Sequence, residues 1–210
     1  MPIVVPYAVD SPKTRLEGFL TADERKRLAR AMLEDVLETI QATGREPTVL
    51  ATAPLDVDVA VCVDDRPLTE AVNAWFEHVR ERECDPTVDC AVVMADLGIL
   101  TPETLDGLFE PDTDVVLAPG RGGGTNAVVS CHPAFTVDYH GASFCDHRRI
   151  ARQIGASVAV VDSFRLSTDI DEPEDLVEVL LHGSERARTV LEDADVVLRT
   201  TRGRVTVERR

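Results

Sequence analysis

The chain has 210 residues, and its 38 acidic against 22 basic residues give a formal net charge of −16. A surface this acidic does not suit nucleic acid, whose phosphates demand a basic face, while the length allows one sizeable α/β domain, with no linker-like stretch dividing residues 1–210. Lys13 and Lys26 are the only lysines. An acidic, lysine-poor surface suits a potassium-rich cytoplasm that screens its self-repulsion, so a halophilic source is expected. Five cysteines without a C-x-x-C pair read as reduced, with Cys62 and Cys90 in the core rather than on zinc. The sequence has neither a cationic leader nor an apolar run near 20 residues, so a cytoplasmic protein without a membrane span is expected.

Residues 3–8 are predicted as the first strand, followed by a loop carrying Lys13 and Arg15. Thr21 and Glu24 have capping-box spacing, and Leu28, Met32, Val36 or Leu37, and Ile40 repeat on one face of the helix that follows, which ends near Gly44. Strands are expected at 47–52 and 57–63, then a helix over 68–83 containing Ala71, Trp75 and Val79. Residues 88–95 are apolar enough to be buried on both faces, as a central parallel strand would be. Thr101 and Pro102 start a short helix. Residues 127–130 and 157–161 read as strands, 143–154 as a helix with Ser143 near its cap, and Pro173 opens a helix to about Leu181. Strands alternating with helices argue for an α/β sandwich around a mostly parallel sheet. At the end, 196–207 alternates and turns at Arg202-Gly203 like a hairpin, placed at the sheet edge or across a subunit interface; a homodimer is expected.

Three clusters carry chemistry. The run VVLAPGRGGGTNAVV, residues 115–129, delivers Gly122, Gly123 and Gly124 between Arg121 and the Thr125-Asn126 pair. Glycines let backbone N–H groups turn toward an anion and the arginine adds charge, which makes a phosphate loop; the same composition also makes a plain surface turn. Asp96 stands at the carboxyl end of the 88–95 strand, where ligands gather in open α/β sheets. Asp169 and Asp171 share one side of an extended backbone and can coordinate one hard cation such as Mg²⁺, or a pair; the alternative is that Asp171 caps the Pro173 helix and Asp169 is solvated. Lys13 and Arg15 lie where the phosphates of a nucleotide would arrive. His147 reads as structural, on the helix beside the loop, and His140 is left open. No serine-hydrolase elbow, zinc-protease pair or Walker-type loop occurs.

The segments SPKTRL, ERKRLARAMLEDVL, VVMADL, APGRGGGTNAVV, YHGASFCDHRRIA and DIDEPEDL, in this order over most of the chain, resemble the 2-phospho-L-lactate guanylyltransferases, relatives of the molybdenum-cofactor guanylyltransferases and sugar-phosphate nucleotidyltransferases. The resemblance implies one three-layer α/β/α domain with a mostly parallel mixed sheet, of nucleotide-diphospho-sugar transferase (glycosyltransferase-A-like) architecture, to which the alternating residues 194–210 add a hairpin-like extension. It implies an enzyme joining GTP to 2-phospho-L-lactate, or to phosphoenolpyruvate, with release of pyrophosphate, in biosynthesis of the deazaflavin coenzyme factor 420. By motif, Asp96, Asp169 and Asp171 correspond to Mg²⁺ ligands, and Lys13 and Arg15 to contacts with the GTP phosphates. Thr125, Gly141 and Ser143 correspond to contacts with the phospho-acid, His140 standing as the alternative to Gly141. One departure is that the Gly-rich loop usual after the first strand is replaced by PYAVDSPKTR, so side chains must do more of the triphosphate binding there. The competing readings are a nucleotide-sugar glycosyltransferase and a nucleotide-binding regulator without catalysis; three intact aspartates argue against the latter.

Overall fold

Short valine-rich segments separated by amphipathic ones fold here as strands between helices, and the computed structural model describes residues 1–201 and 203–210. In chain order the elements are β1 (Ile3–Tyr7), α1 (Ala22–Ala42), β2 (Pro47–Ala51), β3 (Ala60–Val63), α2 (Leu68–Glu83), β4 (Cys90–Val93), α3 (Pro102–Phe109), β5 (Val115–Pro119) and β6 (Thr125–Ser130). There follow α4 (Ser143–Gln153), β7 (Val158–Val160), α5 (Phe164–Ser167), α6 (Leu176–His182), α7 (Glu185–Asp193), β8 (Val196–Thr201) and β9 (Arg204–Arg209). The first seven strands form one sheet in the order β3-β2-β1-β4-β6-β5-β7. Within it β6 runs antiparallel to both β4 and β5, and the remaining pairings are parallel.

The sheet is covered on both faces. Leu33, Val36, Leu37 and Ile40 of α1 pack with Leu105 and Leu108 of α3 against one face, and Ala71, Trp75, Phe76 and Val79 of α2 pack with Ala151 of α4 against the other. Thr21 and Glu24 form the capping box that starts α1, with both reciprocal bonds present. The opposite stripe of α1, Leu28, Ala31 and Met32, is also buried, against Leu176, Val179, Val190 and Leu191 of α6 and α7. That second contact makes α1 an internal helix. The β8–β9 ribbon is a separate two-stranded sheet that joins this outer layer through Val196 and Val207. Of its expected turn, Arg202 lies outside the described residues, and Gly203 stands at φ +80°. Among the described residues no helix is long and apolar enough to cross a membrane.

Several boundaries differ from expectation for local reasons. The 88–95 segment is a strand only over β4, and the chain turns to Asp96 after a last bond to β6, from the Met94 N–H to the Asn126 carbonyl at 3.0 Å. The 57–63 segment pairs only from Ala60, at the exposed edge of the sheet, so Cys62, expected in the core, is exposed, while Cys90 of β4 is buried as expected. The Pro173 helix begins as a 3₁₀ turn, Pro173–Asp175, before α6. One irregularity matters for function. Between β5 and β6, Ala118 pairs with Ala127 but Pro119 with Thr125, so Asn126 is the extra residue of a β-bulge.

Candidate active site

After β1 the chain turns through residues 11–13 without a glycine. Ser11 (φ 48°) and Lys13 (φ 55°) both take left-handed backbone conformations, which cost about 1–2 kcal/mol for a residue with a Cβ. Ion pairs hold Lys13 there: its Nζ donates to Asp96 Oδ2 at 2.6 Å and to Asp171 Oδ1 at 2.8 Å. Arg15 Nη1 donates to the other oxygen of Asp171 at 3.1 Å. The Lys13 side chain is only 9% exposed. Burial on its own would lower its pKa, but Asp96 and Asp171 outweigh that and raise it, so the ammonium persists inside the protein.

Backbone pairing sets the carboxylates together. The N–H of Ile170 donates to the carbonyl of Asp96 at 3.1 Å, so Asp169 and Asp171 flank the Asp96 segment. Asp169 Oδ1 accepts from Asn126 Nδ2 at 3.1 Å, and the same amide donates to the Leu166 carbonyl at 2.9 Å. Desolvation raises the Asp169 pKa; the Asn126 bond opposes this, and the nearby Asp96 charge adds to it. The capping alternative for Asp171 is replaced by another arrangement, in which Glu172 and Asp175 make the capping box that opens the Pro173 turn. Asp175 Oδ2 accepts from the N–H groups of Asp171 and Glu172, and its Oδ1 accepts from Arg121 Nη2 at 2.6 Å. The arginine of the glycine loop is therefore tied to the aspartate segment. A cavity of about 340 Å³ opens beside these groups, with Lys13, Arg15, Asp96 and Asp171 on its charged side and Tyr7, Met32 and Met94 on its apolar side.

This is an all-oxygen donor set, which suits a hard cation. Among the described residues no three acidic, histidine or cysteine groups close around one position. Mg²⁺ does not need that, since one or two carboxylates with waters and substrate phosphates commonly hold it. Asp96 Oδ1 is buried with no hydrogen-bond partner, an atom left for such a ligand, and Asp169 keeps its second oxygen. The residues fit the ion.

At the same end of β6 the bulge sends Thr125 the other way, toward α4. Thr125 Oγ1 lies 3.4 Å from Ser143 Oγ and 2.9 Å from His147 Nδ1, and all three residues are buried. Ser143 and His147 reach Thr125 together because they stand four apart on one helix face. The glycine loop closes on itself, Gly120 N–H donating to the Gly124 carbonyl and Gly123 N–H to that of Gly120. Its Gly123 (φ +85°) accepts from the N–H of Phe144, which stitches the loop to the start of α4. Gly141 (φ +58°) is exposed just before, and Ala142 supplies no side-chain cap to α4. His140 is exposed and pairs with Asp138 at 2.7 Å.

The sequence-predicted residues thus fall into two adjoining groups, Lys13, Arg15, Asp96, Asp169 and Asp171 on one side and Thr125, Gly141 and Ser143 on the other, with Asn126 and the glycine loop between. Sequence reasoning missed that Asp175 anchors Arg121 and that His147 bonds Thr125. The Ser143-to-His147 spacing was the available signal for the second.

A mixed sheet with one reversed strand, and carboxylates and cations at the ends of β1 and β4, define the nucleotidyltransferase and nucleotide-sugar transferase class of α/β fold. Solved structures agree: a putative nucleotide-diphospho-sugar transferase from Desulfovibrio desulfuricans G20 superposes with a TM-score of 0.71 at 15% identity, covering 92% of this chain and 94% of that one. A nucleotidyl transferase from Methanothermobacter thermautotroptrophicus superposes with a TM-score of 0.59 at 15% identity, over 90% of this chain and 98% of that one. The family described as "Guanylyl transferase CofC like" matches residues 1–210, and the chain belongs to it. Relatives named 2-phospho-L-lactate guanylyltransferase are 56% identical over 209 residues in Halomicrobium mukohataei and 53% identical over 210 residues in Natronomonas pharaonis, each match covering the whole of both chains.

Proposed function

We infer that this chain is a guanylyltransferase joining GTP to 2-phospho-L-lactate, giving lactyl-2-diphospho-5'-guanosine and pyrophosphate in biosynthesis of the deazaflavin coenzyme factor 420. Full-length membership of the guanylyl transferase family supports the reaction class. The observation that carries the reading is the bulged end of β6, where Asn126 leans on the carboxylate group and Thr125 on α4, so that sites for two anions adjoin.

In this reading the substrate phosphate attacks the α-phosphorus of GTP in line; an oxygen–phosphorus bond forms there as the bond to the β-phosphate bridging oxygen breaks, and pyrophosphate leaves with the electron pair. A phosphate monoester is already anionic at neutral pH, so no side chain has to remove a proton, and positioning and charge neutralisation supply the rate. Lys13 and Arg15 face the triphosphate. Both are oriented in advance by Asp171, and Lys13 also by Asp96, so little reorganisation accompanies nucleotide arrival. Arg121 offers a further cation, while the N–H groups of Gly120, Arg121 and Gly123 already donate within the protein. Thr125, Gly141 and the backbone at Ser143 hold the acid, helped by the N-terminal dipole of α4. Asp96, Asp169 and Asp171 would hold Mg²⁺, which when bound neutralises phosphate charge and stabilises the leaving oxygen.

The test is pyrophosphate release by the pure protein from each nucleoside triphosphate with 2-phospho-L-lactate, phosphoenolpyruvate or a hexose 1-phosphate. GTP with 2-phospho-L-lactate is the expected pair. Preference for phosphoenolpyruvate would change the acid, and efficient use of a hexose 1-phosphate would overturn the reading in favour of a sugar-nucleotide enzyme.

A further inference from the structure

His147 is completely buried, and both of its ring nitrogens have a hydrogen-bond partner. The N–H of Asp138 donates to Nε2 at 2.9 Å, so Nε2 carries a lone pair and not a proton. In a neutral ring the proton then sits on Nδ1, 2.9 Å from Thr125 Oγ1, and Nδ1–H must donate to that oxygen. Ser143 Oγ–H donates to the same oxygen at 3.4 Å. With these two groups against Thr125 Oγ1, its own hydroxyl hydrogen finds no acceptor among the described residues.

The surroundings hold this arrangement firmly. Asn73 bonds both the N–H and the carbonyl of Val137, at 2.8 and 3.0 Å, and Thr69 Oγ1 accepts from the N–H of Tyr139 at 2.9 Å. The backbone that presents Asp138 N–H to the ring is thus clamped to α2 on either side. Tyr139 meets the imidazole edge-on with ring centroids 5.1 Å apart, and Phe135 lies at 6.1 Å. Burial pushes the His147 pKa down to about 4, so the ring stays neutral near pH 7.

We propose that His147 is a positioning residue for the acid substrate: by donating to Thr125 Oγ1 it turns the threonine hydroxyl into an obligatory donor aimed at an anionic oxygen of the acid. This rests on the reading of Thr125 as an acid contact. A hydroxyl free to rotate could spend its hydrogen on a neighbouring acceptor such as the ring, and a ring that itself donates removes that choice.

The experiment is a steady-state comparison of Thr125→Val, His147→Gln, His147→Asn and Thr125→Val/His147→Gln, reading KM for 2-phospho-L-lactate and for GTP separately. An Asn amide can place its N–H near the Nδ1 position, whereas a Gln amide reaches the Nε2 position. His147→Gln should raise the acid KM about tenfold with the GTP KM unchanged, the loss expected for one hydrogen bond to a charged group. His147→Asn should recover most of that loss. The double variant should be no worse than Thr125→Val alone, because His147 acts through that hydroxyl. Additive losses, or a His147→Gln enzyme with the original acid KM, would overturn the proposal. An unchanged acid KM in Thr125→Val would instead remove the underlying reading. Should the histidine variants fail to fold, ¹⁵N resonances of the His147 ring in the unmodified protein decide: a proton on Nδ1 is expected, and one on Nε2 overturns the proposal.

Discussion

Lys13 shows how a single residue can stand in for a motif. It sits in a backbone conformation that glycine would take without strain, and it is kept there by Asp96 and Asp171, whose charges it offsets. Replacing Asp96 with Asn removes both a partner of the buried ammonium and an unpartnered oxygen that suits Mg²⁺. Asp96→Asn should lower kcat by two to three orders of magnitude, on the order of 3–4 kcal/mol, with the fold retained by circular dichroism. A near-normal rate at saturating Mg²⁺ would contradict the role given to Asp96. His147 makes a different prediction. Its folded pKa of about 4 lies below the ordinary value of 6.5, so between those pH values the unfolded chain binds a proton that the folded one refuses. Stability should therefore fall as pH drops from 6.5 to 4, by about 3 kcal/mol from this group. Urea unfolding at pH 7 and pH 4.5 should show a smaller pH loss in His147→Asn, and equal losses would refute the assignment. The aspartates and Lys13 were legible in the sequence because charged residues beside apolar strands stand out. What bonded to what was not, since Lys13 to Asp171 spans 158 positions.

Among the elements, β6 decides the site. An unbroken strand would turn Thr125 and Ala127 to the same face, but the bulge at Asn126 aims Thr125 at α4 and Asn126 at Asp169. The sequence carried the glycines that precede the bulge and the apolar residues that follow it, and nothing local distinguished a bulge from a regular start at Ala127. The same holds for α5, four residues long, and for the split of the Pro173 helix into a 3₁₀ turn and α6, which tertiary packing sets. By contrast α7 had a readable signal, Ser184, whose hydroxyl accepts from the N–H of Ala187. The bulge depends on Gly120: a Cβ there would lie 2.6 Å from Asn126 Oδ1. Gly120→Ala should displace Asn126, free the Asp169 carboxylate and destabilise the protein by about 1–3 kcal/mol. Chemical unfolding measures the stability, and a variant with unchanged stability and activity would show that Asn126 does not organise this end of the sheet.

On the scale of the whole molecule, the surface charge is the property that sequence revealed most directly, because it needs no fold to be counted. The structure adds where some of it is contained: Arg186 of α7 pairs with Glu34, Asp35 and Glu38 of α1, tying the outer layer to an acidic helix. The exposed Glu38 pair contributes little, about 0–1 kcal/mol, and salt screens it, while the Asp35 carboxylate is only 12% exposed and its pair is screened less. Repulsion within a net −16 chain is the larger quantity, so the melting temperature should rise between dilute buffer and molar KCl. A flat or falling melting temperature would count against the halophilic reading.

The central claim is that two anion sites meet at the bulged end of β6, a triphosphate beside Lys13 and a small phospho-acid beside Thr125. The most direct measurement is the pair of Michaelis constants, for GTP and for 2-phospho-L-lactate, in Lys13→Met and in Thr125→Val. Lys13→Met should raise the GTP constant about tenfold or more with a smaller effect on the acid, and Thr125→Val should do the reverse, each change amounting to the loss of one hydrogen bond or ion pair to a charged group. If both variants shift the two constants equally, or each shifts the other's substrate, the division of the site drawn here is wrong.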